Sequence, residues 1–236
     1  MISIGIASVL VKSFRIKDSY KEGIYRYSLA IANTGFMGNA IVPMILGGDE
    51  ALFRYCLYTL PINLFIYSWG VPQLIPKDRQ QKRSMLGFLN PAIVSLLLGF
   101  AISITGINHY IPDFVMTVIN ALKGCMGPLA MVLTGCVIAG FSWRDILSDK
   151  KVYIASLLRL LPLPAIILAF LYFLGAPKDI LALAFFAFAT PLGLNTVVYP
   201  ASYGCDTKTG AGMAAISHTL SVITIPLMYA LFELIF

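Results

Sequence analysis

The chain has 236 residues, of which 58% are hydrophobic and only 12% charged, with a formal net charge of +6 and a mean hydropathy of +0.83. A soluble domain is about 45–50% apolar and roughly 25% charged, so this composition excludes an ordinary soluble enzyme or binding module and predicts an all-α polytopic membrane protein. The basic residues gather at the ends of apolar runs, not on a face with interleaved aromatics, which excludes a nucleic-acid partner and points to membrane lipid.

In chain order, residues 2–11 are apolar but too short to cross about 30 Å of hydrocarbon, which takes roughly 20 helical residues. They also lack the basic start and cleavage site of a signal peptide. They read as the end of a helix whose beginning is absent, so an N-terminally incomplete chain is expected. Runs of spanning length occupy 24–46, 51–74, 91–107, 114–141, 152–174, 180–203 and 211–236. The expectation is therefore about seven full transmembrane helices plus a partial first one. Lys12, Arg15, Lys17, Lys21 and Arg26 fill the first loop. Lys77, Arg79, Lys82 and Arg83 precede the run at 91, and Arg144, Lys150 and Lys151 precede the run at 152. The intervening connections hold little basic charge, so these three loops are expected in the cytoplasm and the C-terminus outside. Cys56, Cys125, Cys136 and Cys205 are scattered without a CxxC pair, a pattern that predicts neither a disulfide framework nor a metal site.

All the acids fall in loops or near span ends, which argues against a proton pump or cation exchanger built on intramembrane carboxylates. Four other ionisable groups enter apolar runs. Arg54 lies one turn inside its span. Lys123, next to Gly124, marks a helix that starts on the surface before turning inward. Arg159 is about 12 Å deep at 1.5 Å per residue; it either snorkels to the interface or faces an anionic substrate. His218 adjoins Ser217, but neighbours on a helix point about 100° apart and form no nucleophile–base pair. No catalytic residue and no enzyme activity are predicted, and His218 reads as hydrogen-bonded between helices.

Two runs are interrupted in the same way. NAIVPMILGGD at 39–49 and TVVYPASYGCD at 196–206 each place Gly four and Asp six residues after a proline. Proline lacks the N–H that a helix needs, so breaks are expected at Pro43 and Pro200, freeing the carbonyls of Asn39 and Thr196. Gly35, Gly38 and Gly193 loosen the same regions. A single proline kink needs no substrate, but here each break also carries carboxamides, Asn33 and Asn39 in one and Asn195 in the other. Unpaired backbone survives in hydrocarbon only when it is buried in protein or lines a wet cavity. The first helix runs outward and the second inward, the pattern of an inverted-repeat transporter whose site forms where half-helix ends meet. Those ends favour anions. Aligned on the prolines, the amides fall one residue out of register.

The residues NTGFMGNAIVP at 33–43, PLAMVLTG at 128–135, RLLPLP at 159–164, TPLGLNTVVYPASYGCD at 190–206 and SHTLSVITIP at 217–226 resemble the auxin efflux carrier family, which includes plant auxin exporters and bacterial organic-acid permeases. The resemblance implies ten helices in two inverted five-helix repeats, with the fourth and ninth crossing at proline breaks, in a fold related to bile-acid sodium symporters. It implies one membrane transporter domain over 1–236, with 1–75 and 152–236 in a moving transport unit and 91–141 as the remaining part of a scaffold. It also implies that the full-length protein forms a homodimer. One departure is Ala40, where the family often has proline.

The expected function is that of a secondary transporter moving a small organic anion, auxin-like or a dicarboxylate such as malate, across a bacterial inner membrane by alternating access. The alternatives are a sodium-coupled symporter of bile-acid type and a non-transporting membrane fragment. No cofactor is expected, and the coupling ion, sodium or proton, is left open. The candidate substrate-binding residues are Asn33, Gly35, Gly38, Asn39, Pro43, Pro191, Gly193, Asn195 and Pro200, with Arg159 as counter-charge and the asparagines as amide donors to a carboxylate.

Overall fold

The computed structural model describes residues 2–76, 91–142, 144 and 148–236. The second basic loop, with Lys77, Arg79, Lys82 and Arg83, lies outside the described residues, as do Asp78 and Asp145.

Helix α1 (Ile2–Ser13) leads to α2 (Ser19–Ala30). The Asp18 carboxylate accepts the Tyr20 N–H at 2.9 Å, a cap that satisfies one of the orphan donors at the start of α2. The chain is extended at Ile31 (φ −115°, ψ 127°), then enters a π turn (Thr34–Gly38) that passes directly into α3 (Asn39–Leu46). Gly47 and Gly48 adopt φ of 101° and 69°, a region costly for any residue with a Cβ. They reverse the chain into α4 (Gly48–Phe65), a second π turn (Ile66–Gly70) and the short α5 (Val71–Gln73).

Then come α6 (Pro91–Thr105), a 3-10 turn (Ile107–Tyr110) and α7 (Asp113–Ala139). Helix α7 runs unbroken through Lys123, so the expected inward turn at Gly124 is not found. Helices α8 (Lys150–Leu160) and α9 (Pro162–Phe173) form a rod bent at Leu161, because Pro162 disfavours helical geometry in the residue before it. Last are α10 (Lys178–Ala189), α11 (Asn195–Ser202) and α12 (Lys208–Ile235).

The described residues are therefore helical, and their one β-pairing is an isolated antiparallel bridge between Ala32 and Leu192. Two of the expected spans, Lys150–Phe173 and Lys208–Ile235, form helical stretches long and apolar enough to cross a membrane. The runs at 24–46 and 180–203 are each divided into two helical pieces, α2 with α3 and α10 with α11. The breaks are not at Pro43 and Pro200. Both prolines ride inside the short helices that follow the interruptions, and the chain leaves the helix upstream, at 31–33 and around 190–192. The physical reason is that a proline inside a two-turn helix forfeits one hydrogen bond, whereas the two extended segments can satisfy each other's backbone.

Large apolar side chains face outward, among them Leu97 and Leu98 on α6, Val118 and Leu122 on α7, and Val222 and Ile223 on α12. Against hydrocarbon such exposure is free of cost, and helices then associate through close packing of small residues and through hydrogen bonds. Two buried clusters flank the interruptions. One joins α1, α2, α8 and the start of α12 through Val11, Ile24, Tyr27, Val152 and Met213. The other joins α3, α4, α10 and the end of α12 through Val42, Tyr55, Phe185, Phe186 and Phe232. The rings of Phe185 and Phe186 sit 5.0 Å apart at 89°, an edge-to-face arrangement favoured by the ring quadrupole.

Gly210 of α12 packs on the backbone of α11, where an added Cβ would strike the Thr196 carbonyl. That is the carbonyl to which Pro200 can offer no N–H. Gly210→Ala is expected to cost about 1–3 kcal/mol through overpacking, read as a lower thermal unfolding midpoint in detergent. Gly5→Ala, where a Cβ meets nothing within 4 Å, is the control and should leave the midpoint unchanged or slightly raised.

Candidate functional site

The end of α2 and the end of α10 pass each other in opposite directions. The Asn33 N–H donates to the Pro191 carbonyl at 2.8 Å, within the Ala32–Leu192 bridge. Thr190 is extended (φ −66°, ψ 152°), as expected for a residue before proline. Pro191 thus ends α10, and its carbonyl receives the amide hydrogen that α2 leaves over. The Asn33 side chain caps the new helical run: Oδ1 accepts the Phe36 N–H at 3.3 Å.

Around this crossing lies a cavity of about 300 Å³. Of the residues expected at the site, Asn33, Gly35, Asn39, Gly193 and Asn195 line it. The others do not. Gly38 packs against the Tyr55 hydroxyl, with the ring's Cζ 2.8 Å from where its Cβ would be. Pro43, Pro191 and Pro200 shape the backbone from outside the lining.

Arg159 is also absent from the lining and is 0% exposed, which rules out the snorkelling alternative. None of its three guanidinium nitrogens has a hydrogen-bond partner among the described residues, and the group it influences electrostatically is Tyr55. Tyr55 in turn ties α4 to the crossing, its hydroxyl 3.4 Å from the carbonyls of Thr34 and Phe186.

The amides differ in how far they are already engaged. Asn33 Nδ2 meets His218 Nε2 at 3.1 Å, so the bond expected between helices is made to the crossing itself. Asn195 Nδ2 donates to the Tyr27 hydroxyl at 2.8 Å. Each carboxamide nitrogen carries two hydrogens, so these two amides set the shape of the crossing with one N–H each while lining the cavity. Asn39 keeps its Nδ2 free among the described partners, with only a 4.0 Å contact from Cys56 Sγ to its Oδ1.

Sequence reasoning missed Asn63 and Tyr67 of the α4 segment and Ser95 of α6, all of which line the cavity. A signal existed for Asn63, a carboxamide in the middle of the apolar run at 51–74. For Ser95 there was none, since a serine in a membrane helix commonly bonds its own backbone. Among the described residues the lining contains no charged side chain. Neutral donors around a small space, with two helical segments beginning at it, suit a polar solute held by hydrogen bonds and backbone dipoles.

A helical protein with an apolar exterior and a polar cavity at the meeting point of two discontinuous helices has the features of a membrane transporter. The family model described as membrane transport protein matches residues 79–229, and the chain belongs to that family, the auxin efflux carriers. It is an integral membrane protein. It is similar to the uncharacterized transporter MJ1031 of Methanocaldococcus jannaschii, with 26% identity over 243 residues, 95% of this chain and 73% of the archaeal protein. No solved structure matches.

Tyr27 is fully buried, and its hydroxyl is the acceptor for Asn195. Tyr27→Phe should leave that amide donor unsatisfied and cost about 1–3 kcal/mol, measured as a lower unfolding midpoint. A midpoint within error of the unsubstituted protein would show that Asn195 finds another partner.

Proposed function

We propose that the protein is a secondary transporter that moves a small organic anion, auxin-like or a dicarboxylate such as malate, across the cytoplasmic membrane by alternating access. The observation that carries this reading is the uncharged cavity at the crossing, whose unspent donors are the amides of Asn39 and Asn63 and the Tyr67 hydroxyl. A carboxylate accepts such donors strongly, each bond to a charged group being worth about 1.5–3 kcal/mol. Arg159 supports the sign of the substrate. A buried guanidinium with no carboxylate beside it leaves a positive potential in the low-dielectric interior, felt over longer distances than in water. Its role is that of a counter-charge acting through space, with the asparagines providing the contacts.

The cavity also draws on both parts of the proposed division. Asn33, Asn39, Asn63 and Asn195 come from the transport unit (1–75 and 152–236), and Ser95 comes from the remaining scaffold (91–141). A site at such a boundary is exposed to one side or the other as the two parts slide, the movement expected for an inverted-repeat transporter of the bile-acid symporter type. The proposed setting is a bacterial inner membrane with the C-terminus outside and the full-length protein as a homodimer.

One observation favours a second reading, sodium-coupled symport. The Oδ1 atoms of Asn195, whose amide nitrogen is engaged by Tyr27, and of Asn39, both residues of the cavity lining, are oxygens of the kind that hold a hard cation.

A thermal-shift screen of the purified protein in detergent against mono- and dicarboxylates, with and without sodium, tests both readings, because a ligand that binds the folded state alone raises its stability. Stabilisation by carboxylates without sodium supports the first; stabilisation that requires sodium supports the second; none from any carboxylate sinks both. Asn39→Ala and Asn63→Ala should each weaken binding of the stabilising acid about tenfold or more. Arg159→Met removes a partnerless buried charge, so it should raise the unfolding midpoint while lowering anion affinity. A raised midpoint with unchanged affinity would take Arg159 out of the transport reading.

A further inference from the structure

The imidazole of His218 is held at both nitrogens. Nδ1 lies 2.8 Å from the Ala214 carbonyl, which can only accept, so Nδ1 carries the hydrogen. Nε2 lies 3.1 Å from Asn33 Nδ2, and Asn33 Oδ1 is already accepting from Phe36 N–H. The amide orientation and the ring tautomer therefore fix one another: the ring is neutral, and Nε2 presents a lone pair to the Asn33 amide.

A proton on Nε2 is incompatible with that arrangement, since N–H would face N–H. The compatible response is rotation of the Asn33 carboxamide, which offers Oδ1 to the imidazolium and withdraws it from Phe36. Asn33 and Phe36 both line the cavity, so the cap at the start of the helical run, the cavity wall and the charge beside it change together. His218 itself does not line the cavity; Asn33 stands between.

We propose that His218 is the proton-coupling group of this transporter: Nε2 takes up a proton from water, Asn33 turns, and an anion in the cavity and the proton on His218 each favour the other. This inference rests on the reading of the cavity as an anion site. The elements packed against α12 are α8, α7, α11, α2 and α10. Beyond the first three residues of each helix their titratable groups are Tyr153 and Arg159 on α8, the exposed Lys123 and the Cys125 and Cys136 thiols on α7, Tyr199 on α11, and Glu22, Tyr25, Arg26 and Tyr27 on α2. Helix α10 carries its charges, Lys178 and Asp179, in its first turn. The one carboxylate among these, Glu22, is paired with Arg26, and Arg159 is a buried cation without a hydrogen-bond partner among the described residues. Protonation of His218 adds to an already positive interior and is relieved by an entering anion. By linkage, the factor by which the proton tightens the anion equals the factor by which the anion tightens the proton.

His109 and His218 are the two histidines of the chain, so His109→Gln leaves one imidazole to observe. In that background, ring nitrogen NMR of the protein in detergent should show the Nδ1–H tautomer at pH 8 and proton uptake as the pH is lowered toward 5. Added malate should move that uptake to higher pH. Isothermal titration of malate between pH 8 and pH 6 should show affinity rising by as much as tenfold per pH unit, the limit for one linked proton, and His218→Gln should flatten this dependence. Asn33→Ala removes the amide that faces Nε2 while the Ala214 carbonyl still holds Nδ1–H, so proton uptake should move to higher pH with the tautomer unchanged, which separates a coupling role from simple packing. A ring that stays neutral down to pH 5, or an affinity equally pH-dependent in His218→Gln, overturns the proposal. Failure of malate and every other carboxylate to bind removes the anion reading instead, and the tautomer and its exchange with Asn33 then still decide whether His218 is a protonation switch.

Discussion

The structure depends on one backbone hydrogen bond made in an unusual place, from the Asn33 amide to the Pro191 carbonyl. In hydrocarbon, main-chain groups have no water to turn to, so a helix that stops inside the bilayer must find a partner or remain closed. Two helices that stop at the same level and run in opposite directions can solve the problem for each other with a single turn of β-pairing. Once Ala32 and Leu192 face one another, the helical segments that follow both begin at the same small volume. Polar side chains needed to finish the caps are gathered there as a consequence. The cavity is thus the by-product of satisfying backbone, and its uncharged lining follows from the amide and hydroxyl groups that such a junction recruits.

The surrounding helices keep this junction in place by different means on its two sides. Toward the start of α2 the packing runs through Tyr27, Ile24 and Met213, and Tyr27 also holds Asn195 by its hydroxyl. On the other side, aromatic rings of α10 and α12 stack around Phe185, Phe186, Tyr229 and Phe232. Glycines allow the close approaches that an apolar solvent does not drive by itself. Gly210 on the Thr196 carbonyl and Gly38 on the Tyr55 hydroxyl are two points at which a methyl group would push the pieces apart.

Charge is distributed with similar economy. Among the described residues the cavity wall is neutral, and Arg159 is buried outside that wall, under the influence of Tyr55 and without a hydrogen-bond partner.

Much of this was legible in the chain before any coordinates. Composition and the long apolar runs required a helical membrane protein, since nothing else hides that many apolar side chains and all the backbone polar groups at once. The prolines and carboxamides at 33–43 and 190–200 marked the interrupted helices correctly, because an Asn inside an apolar run has to be answered by another polar group. What the tertiary structure alone decided is where the helices part and which amides remain available. Those outcomes turn on contacts between segments distant in sequence: Pro191 receiving the Asn33 hydrogen, His218 and Tyr27 each engaging an amide of Asn33 and Asn195, and Asn63 and Ser95 arriving from other helices. Local sequence carries the tendency of a proline to weaken a helix. Only the partner across the crossing determines whether the helix opens at that proline or ten residues before it.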